Sequence, residues 1–189
     1  MEKIIHILQK HYDKKSKLYE ILIEHSTAVM KKSLEIAQNY GIEKVDYEFI
    51  REAAMLHDIG IYLTNAPVIN CFGNKPYICH GYLGREILEK EGLPKHALVC
   101  ERHSGVGINL QDIFEKRLPL PKRDLLPISK EEKIICIADK FFSKLQSNLG
   151  KEKELTEVRN SIKKYGANKL EIFDSLLVEF KVTYRKPNN

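Results

Sequence analysis

The residues of this chain best equipped for chemistry are four histidines and two aspartates: His25, His57, Asp58, His80, His103 and Asp139. Imidazole and carboxylate together are donors for divalent transition metals. His57 and Asp58 are adjacent, follow the apolar run Ala54-Met55-Leu56 and precede Ile59-Gly60. That order places two donors at the buried end of a helix, with a glycine where the chain is free to turn away. Neighbouring helical positions diverge by about 100°. The pair therefore converges on one ion only if the helix ends against it, or if Asp58 bridges two ions. An acid at a helix carboxyl end also opposes the helix dipole, an objection a cation removes. Asp139 lies inside the apolar run Ile134-Ile135-Cys136-Ile137-Ala138 and Phe141-Phe142. A carboxylate on a buried face needs a partner. Helical geometry is expected to point Lys140 elsewhere, which leaves a metal ion as the economical partner and Arg102 or Arg85 as structural alternatives.

His25 shares a helical side with Ala28 and Val29, and alone is as well explained by a hydrogen bond to a backbone carbonyl. His80 and His103 stand at helix boundaries, where a histidine is ordinary. Together they offer two imidazoles from consecutive helices, enough to hold a second ion. The cysteines, Cys71, Cys79, Cys100 and Cys136, form no CxxC pair. Cys100 and Cys136 fall in helical apolar patterns and are expected to be reduced core residues.

Helices must position these donors. Helical apolar spacing occurs over 3–10, 15–24 and 26–40, with a stop at Gly41. Asp46 is placed to cap a helix that ends at the His57-Asp58 pair. The stretch 60–79 holds Gly60, Pro67, Asn70, Gly73, Asn74 and Pro76 and reads as a long loop, a wall or lid beside the donors. Helices follow over 81–91 and from Pro94 to near His103. The segment 106–127 reads as irregular, with room for a short helix at 109–116. Ser129 and Glu132 form the pattern of a capping box for a long helix that runs through Leu145 and ends by Gly150. Two more helices are expected near 152–164 and 167–184. No run alternates like a strand. The expected fold is all-α, a single domain over 1–189 of about seven to nine helices.

Net charge is +5, with acids and bases interspersed. No basic cluster, zinc-finger spacing or recognition-helix signature supports nucleic-acid binding. Phosphate-bearing small molecules suit a mildly positive protein equally well. No apolar run could span a bilayer and the first residues lack the order of a signal peptide, so no membrane association and a cytoplasmic location are expected.

The succession His25, His57-Asp58, Asp139 resembles the pattern that names the HD-domain metal-dependent phosphohydrolases. His57-Asp58-Ile59-Gly60 matches their His-Asp-Ile-Gly variant. The likeness covers roughly 20–145, with the C-terminal helices expected to pack on that part. The run Glu101-Arg102-His103-Ser104-Gly105-Val106-Gly107-Ile108 is similar to small archaeal and bacterial members. The resemblance implies an HD-domain-like helical bundle and phosphomonoesterase or phosphodiesterase chemistry on nucleotides. It implies that His25, His57, Asp58 and Asp139 hold one ion, while His80 and His103 hold a second with Asp58 bridging. The loop 60–79 is longer than in compact relatives. The chain also lacks the extended motif of the guanosine tetra- and pentaphosphate hydrolases, and the larger chain and further ligands of the cyclic dinucleotide phosphodiesterases.

The expected cofactor is one or two divalent ions of iron, manganese, zinc, nickel or cobalt. The expected partner is a phosphorylated, nucleotide-like small molecule, its phosphorus attacked by a metal-activated hydroxide. Asp58 and Lys140 carry the catalytic roles, Lys140 as a phosphate-binding cation. Competing readings are a dinuclear-iron oxygenase on the same scaffold and a non-catalytic metal- or nucleotide-binding module. Oligomeric state is left open by the sequence.

Overall fold

A computed structural model describes residues 1–182. Nine α-helices occur among them: α1 Glu2–His11, α2 Lys17–Tyr40, α3 Tyr47–Leu56, α4 His80–Lys90, α5 Pro94–Arg102, α6 Leu110–Glu115, α7 Lys130–Lys140, α8 Leu155–Lys163 and α9 Ala167–Glu179. The all-helical expectation holds. The helix expected at 167–184 ends earlier, at Glu179, and positions 183 and 184 lie outside the described residues.

Local signals account for most helix starts. Ser16 accepts a hydrogen bond from the Tyr19 amide at the head of α2, and Asp46 accepts one from Phe49 at the head of α3. Pro94 opens α5 with its fixed φ. Asn109 and Asp112 exchange side-chain and backbone bonds around the start of α6. At α7, Ser129 accepts from the Glu132 amide, but the Glu132 carboxylate caps the Ile128 amide instead of returning to Ser129. It also takes Arg102 at 3.0 Å.

Two departures from the sequence expectations shape the site. The stretches 15–24 and 26–40, read separately from the sequence, form one helix, α2, with His25 among its buried residues. The long helix expected through Leu145 stops at Lys140. Its last turn tightens into three-residue spacing, Phe141 amide to Ala138 carbonyl and Phe142 amide to Asp139 carbonyl, both 3.2 Å. The Phe141 carbonyl is then taken by the Lys153 amide at 2.8 Å, so the following chain folds back across the helix end.

The stretch 60–79 is also more ordered than a loop. It holds a small sheet in the order β2-β1-β3, with β1 Thr64–Ala66, β2 Cys71–Phe72 and β3 Lys75–Pro76. Asn65 pairs antiparallel with Phe72 and parallel with Pro76. Ile61, Ile69 and Cys71 bury this unit against the bundle, while Val68 and Phe72 stay exposed. Strands of two or three residues are too short to leave an alternating pattern.

Apolar burial is organised in two main clusters. One joins the second half of α2 to α3, α7, α8 and α9 through Val29, Ile50, Ile134, Phe173 and Phe180. The other joins α1 and the first half of α2 to the small sheet, α4 and α5 through Leu8, Leu22, Ile59, Leu88 and Cys100. His25 lies on α2 between Leu22 and Val29, where the two clusters meet.

Candidate metal centre

All six expected donors come together. His25, His57, Asp58 and Asp139 bring one ligand atom each within 4.8 Å of one another, and Asp58, His80 and His103 do the same. Asp58 is common to both groups, and its two oxygens divide between them. Oδ2 lies 3.3 Å from His25 Nε2 and 3.1 Å from His57 Nε2. Oδ1 lies 3.4 Å from both His80 Nε2 and His103 Nε2. Asp139 closes the first group, with Oδ1 3.0 Å from His25 Nε2 and 3.5 Å from His57 Nε2. His25, His57 and Asp58 are fully buried and the other three nearly so.

Three of the four histidines are oriented by one repeated device. His57 Nδ1 meets the Ala54 carbonyl, His80 Nδ1 that of Tyr77, and His103 Nδ1 that of Cys100, each at 2.7 Å and three residues back. A ring whose Nδ1–H donates to a carbonyl presents a lone pair at Nε2, the form that binds metals. The turn carrying His57 and Asp58 is itself pinned: Tyr12 Oη donates to the Ile59 carbonyl at 2.6 Å and Cys100 Sγ to the His57 carbonyl at 2.9 Å.

Gly60 serves a different purpose from the one its position suggests. Its φ of −83° is open to any residue. What it provides is room. A Cβ there would lie 2.2 Å from the His80 carbonyl oxygen and 2.5 Å from the Gly84 amide nitrogen. Gly84 in turn makes room for Cys100 Sγ, which would lie 2.2 Å from an added Cβ. The two glycines let the Asp58 turn, α4 and α5 approach closely enough for His80 and His103 to reach Asp58.

Charge within the cluster is tightly balanced. Burial opposes ionisation of Asp58, but His57 and Lys144 outweigh it and hold its carboxyl well below the usual range. Asp139 is held low in the same way by Lys140 and Lys144. Burial disfavours the charged form of His57, yet the two carboxylates raise its pKa to about 9, so without metal its Nε2 carries a proton that a bound cation would displace. Burial and the neighbouring His103 push His80 down to about 3, and burial lowers His103 as well.

The donor set fits a divalent cation on two grounds. Ligand atoms 3.0–3.5 Å apart match the edges of a tetrahedron or octahedron with bonds of about 2.1 Å. The second ground is a proton count. His80 Nε2 and His103 Nε2 are 3.0 Å apart. Neutral, the two rings own two N–H protons, yet three contacts each require one: two to carbonyls and one between the rings. A cation beside the Nε2 pair removes the deficit. Among the described residues His57 Nε2 and both Asp58 oxygens likewise make no well-formed hydrogen bond despite full burial, although Lys144 forms an ion pair with Oδ2.

Lys140 does not point away from Asp139, as regular helical geometry suggests. Its Nζ lies 2.6 Å from Asp139 Oδ2 and 3.1 Å from the His103 carbonyl. The arginines weighed as partners of Asp139 are engaged elsewhere, Arg102 with Glu132 and Arg85 with Glu101 and Glu89. The sequence reading missed Lys144. Its Nζ forms an ion pair with Asp58 Oδ2 at 2.6 Å and lies 3.8 Å from Asp139 Oδ1. Only the early end of α7 brings it there. A cavity of about 690 Å³ opens beside the cluster, lined by Asp139, Lys140, Lys144, Tyr77 and Phe142 and extending past Lys153 to α6, α8 and α9.

The HD domain family model matches residues 22–143, a span that contains all six donors. The chain belongs to the HD domain family. It is 41% identical over 124 residues to the uncharacterized protein MJ0778 of Methanocaldococcus jannaschii, covering 64% of this chain and 65% of that one. It is 30% and 28% identical over 125 residues to proteins of Picrophilus torridus and Thermoplasma volcanium named tRNA (cytidine(56)-2'-O)-methyltransferase, with 66% of this chain and 32% of each relative matched. The chain thus spans under two thirds of the first of these relatives and about a third of the other two. The same fold occurs in the HD domain of the L. monocytogenes phosphodiesterase PgpH, solved with cyclic-di-AMP. Its TM-score is 0.50 at 18% identity, over 90% of this chain and 94% of that one. No helix among the described residues is long and apolar enough to cross a membrane.

Proposed function

We propose that this HD-domain protein is a metal-dependent phosphohydrolase that cleaves a phosphate ester or anhydride of a nucleotide-like small molecule. The supporting observation is the division of the Asp58 carboxylate between two donor groups beside a lysine-lined cavity. His25, His57, Asp139 and Asp58 Oδ2 would hold one ion; His80, His103 and Asp58 Oδ1 would hold the other. Iron, manganese, zinc, nickel and cobalt all suit such mixed imidazole and carboxylate donors. Bound there, the ions would supply a nucleophile from water at neutral pH and neutralise charge on the phosphoryl group.

The chain's own residues do the rest. The carbonyl-anchored imidazoles fix the donor geometry before substrate arrives. Lys140 and Lys144, at the cavity end nearest the donors, would be the cations that meet phosphoryl oxygens. Apolar walls around Ile78, Ile108 and Phe142 would shelter the organic part of the substrate and keep water from the reacting phosphorus.

The test is metal analysis of protein purified without chelator, followed by a phosphate-release screen over nucleotides with added manganese, iron, nickel or cobalt. Asp58→Ala should lose bound metal and phosphate release together. Full turnover by a metal-free Asp58→Ala protein refutes the mechanism. Oxygen uptake by an iron-loaded protein that releases no phosphate favours the oxygenase instead.

A further inference from the structure

The cavity beside the donors is far larger than a single phosphoryl group requires, and falls in the range of sites for whole organic ligands. Among the described residues five lysines line it: Lys116, Lys140, Lys144, Lys153 and Lys169. Four of them have carboxylates within 4 Å. Lys140 is beside Asp139, Lys144 beside Asp58, and Lys116 and Lys169 beside Asp112. Lys153 stands apart. Among the described residues no carboxylate lies within that distance of its ammonium, which donates only to the Lys140 and Phe142 carbonyls, both at 3.4 Å. These are long bonds to the spent end of α7, with donor capacity left over. Lys153 is nevertheless partly buried. A half-buried ammonium with no carboxylate in contact is costly; Asp139 and Glu157 act on it only from longer range, and burial outweighs them and holds its pKa below the usual lysine value. The segment carrying it is held in place by its own amide on the Phe141 carbonyl. Lys153 also lies beyond the span the family model matches.

We infer that Lys153 binds a second anionic group of the substrate, so that the cavity is built for a molecule with two phosphoryl groups, one at the Asp58–Asp139 end and one on Lys153. This rests on the phosphohydrolase reading of the same cavity. It narrows that reading from phosphate compounds in general to diphosphates, whose second phosphoryl supplies the contacting anion Lys153 lacks.

Isothermal titration of the metal-loaded full chain with inorganic phosphate and inorganic pyrophosphate tests it. Wild type should bind pyrophosphate at least about tenfold more tightly than phosphate, the scale of one charge-assisted hydrogen bond. Lys153→Gln keeps an N–H donor for the α7 carbonyls and removes the charge. It should erase most of that preference while metal content and phosphate affinity stay within about twofold. Lys153→Arg, which restores the charge, should restore the preference. A wild type that does not prefer pyrophosphate, a preference that survives in Lys153→Gln, or no recovery in Lys153→Arg overturns the assignment. If the preference behaves as expected but no phosphate compound is hydrolysed, the Lys153 site stands and the phosphohydrolase reading fails. If phosphate is released but Lys153→Gln leaves the preference unchanged, the phosphohydrolase reading stands and the Lys153 site fails.

Discussion

Gly60→Ala should separate the two halves of the donor cluster. The added methyl group would fall between the His80 carbonyl oxygen and the Gly84 amide nitrogen, at 2.2 and 2.5 Å. Those two atoms are the partners of a helical hydrogen bond in the first turn of α4, so neither is a flexible side-chain end that can swing aside. Restoring ordinary contact requires the Asp58 turn and α4 to part by about 1 Å. Overpacking of this kind costs about 1–3 kcal/mol, a fall in melting temperature of about 2–12 °C for a chain of this size. Metal geometry is less forgiving, since ligand distances hold to within about 0.2 Å. His80 moves with α4, whereas His25, His57, Asp58 and Asp139 lie on the other side of the contact. The expected product is a folded protein that retains the first ion and loses the second, read as metal stoichiometry after dialysis together with a thermal melt. Gly60→Ala protein that melts like wild type and keeps two ions would refute the reasoning.

Other perturbations separate the remaining roles. His103→Ala should leave the four-donor group intact and give protein with one tightly held ion, measured by elemental analysis. Lys140→Met, which keeps most of the stem, should retain metal yet weaken substrate binding or turnover; unchanged kinetics would confine Lys140 to bracing Asp139 and the His103 carbonyl. Lys169→Met removes the buried partner of Asp112 and of the Gly107 carbonyl and should cost about 1–3 kcal/mol in urea melts near neutral pH. Burial opposes ionisation of Asp112 but Lys169 outweighs it, so its folded pKa is depressed. The stabilisation is then full above the unfolded carboxylate value and lost as pH falls through the folded one. The gap between wild type and Lys169→Met should close in strongly acidic solution.

The donor set was legible because its chemistry conflicts with its surroundings. Asp139 in an apolar helix and Asp58 at a helix carboxyl end are both awkward without a cation, and the helix caps at Asp46 and Ser129 follow local rules that a sequence displays. What escaped depends on contacts between distant segments. Residues Phe141 and Phe142 continue the apolar pattern of α7, so nothing in that pattern announces that the helix stops at Lys140. In a continued helix Lys144, five residues beyond Asp139, would sit about 140° around the axis and face away from it. The stop turns it inward. Gly60 could be recognised as important but not for the right reason, because its φ is ordinary and its neighbour across the contact is residue 84. The small sheet within 60–79 has strands too short for periodicity to register.

The six donors are dispersed from residue 25 to residue 139 and sit on α2, α4 and α7, in the turn after α3 and at the residue that follows α5. To the polymer, ions shared among them would be cross-links that close loops of twenty to more than a hundred residues, none of which exists in the unfolded chain. Any affinity of the centre for metal is therefore also folding free energy for most of the bundle. By mass action, free metal at a hundred times its dissociation constant adds about 2.7 kcal/mol, a large part of the margin of an ordinary domain. The cell's supply of that ion would then set how much folded protein is present as well as how fast each molecule works.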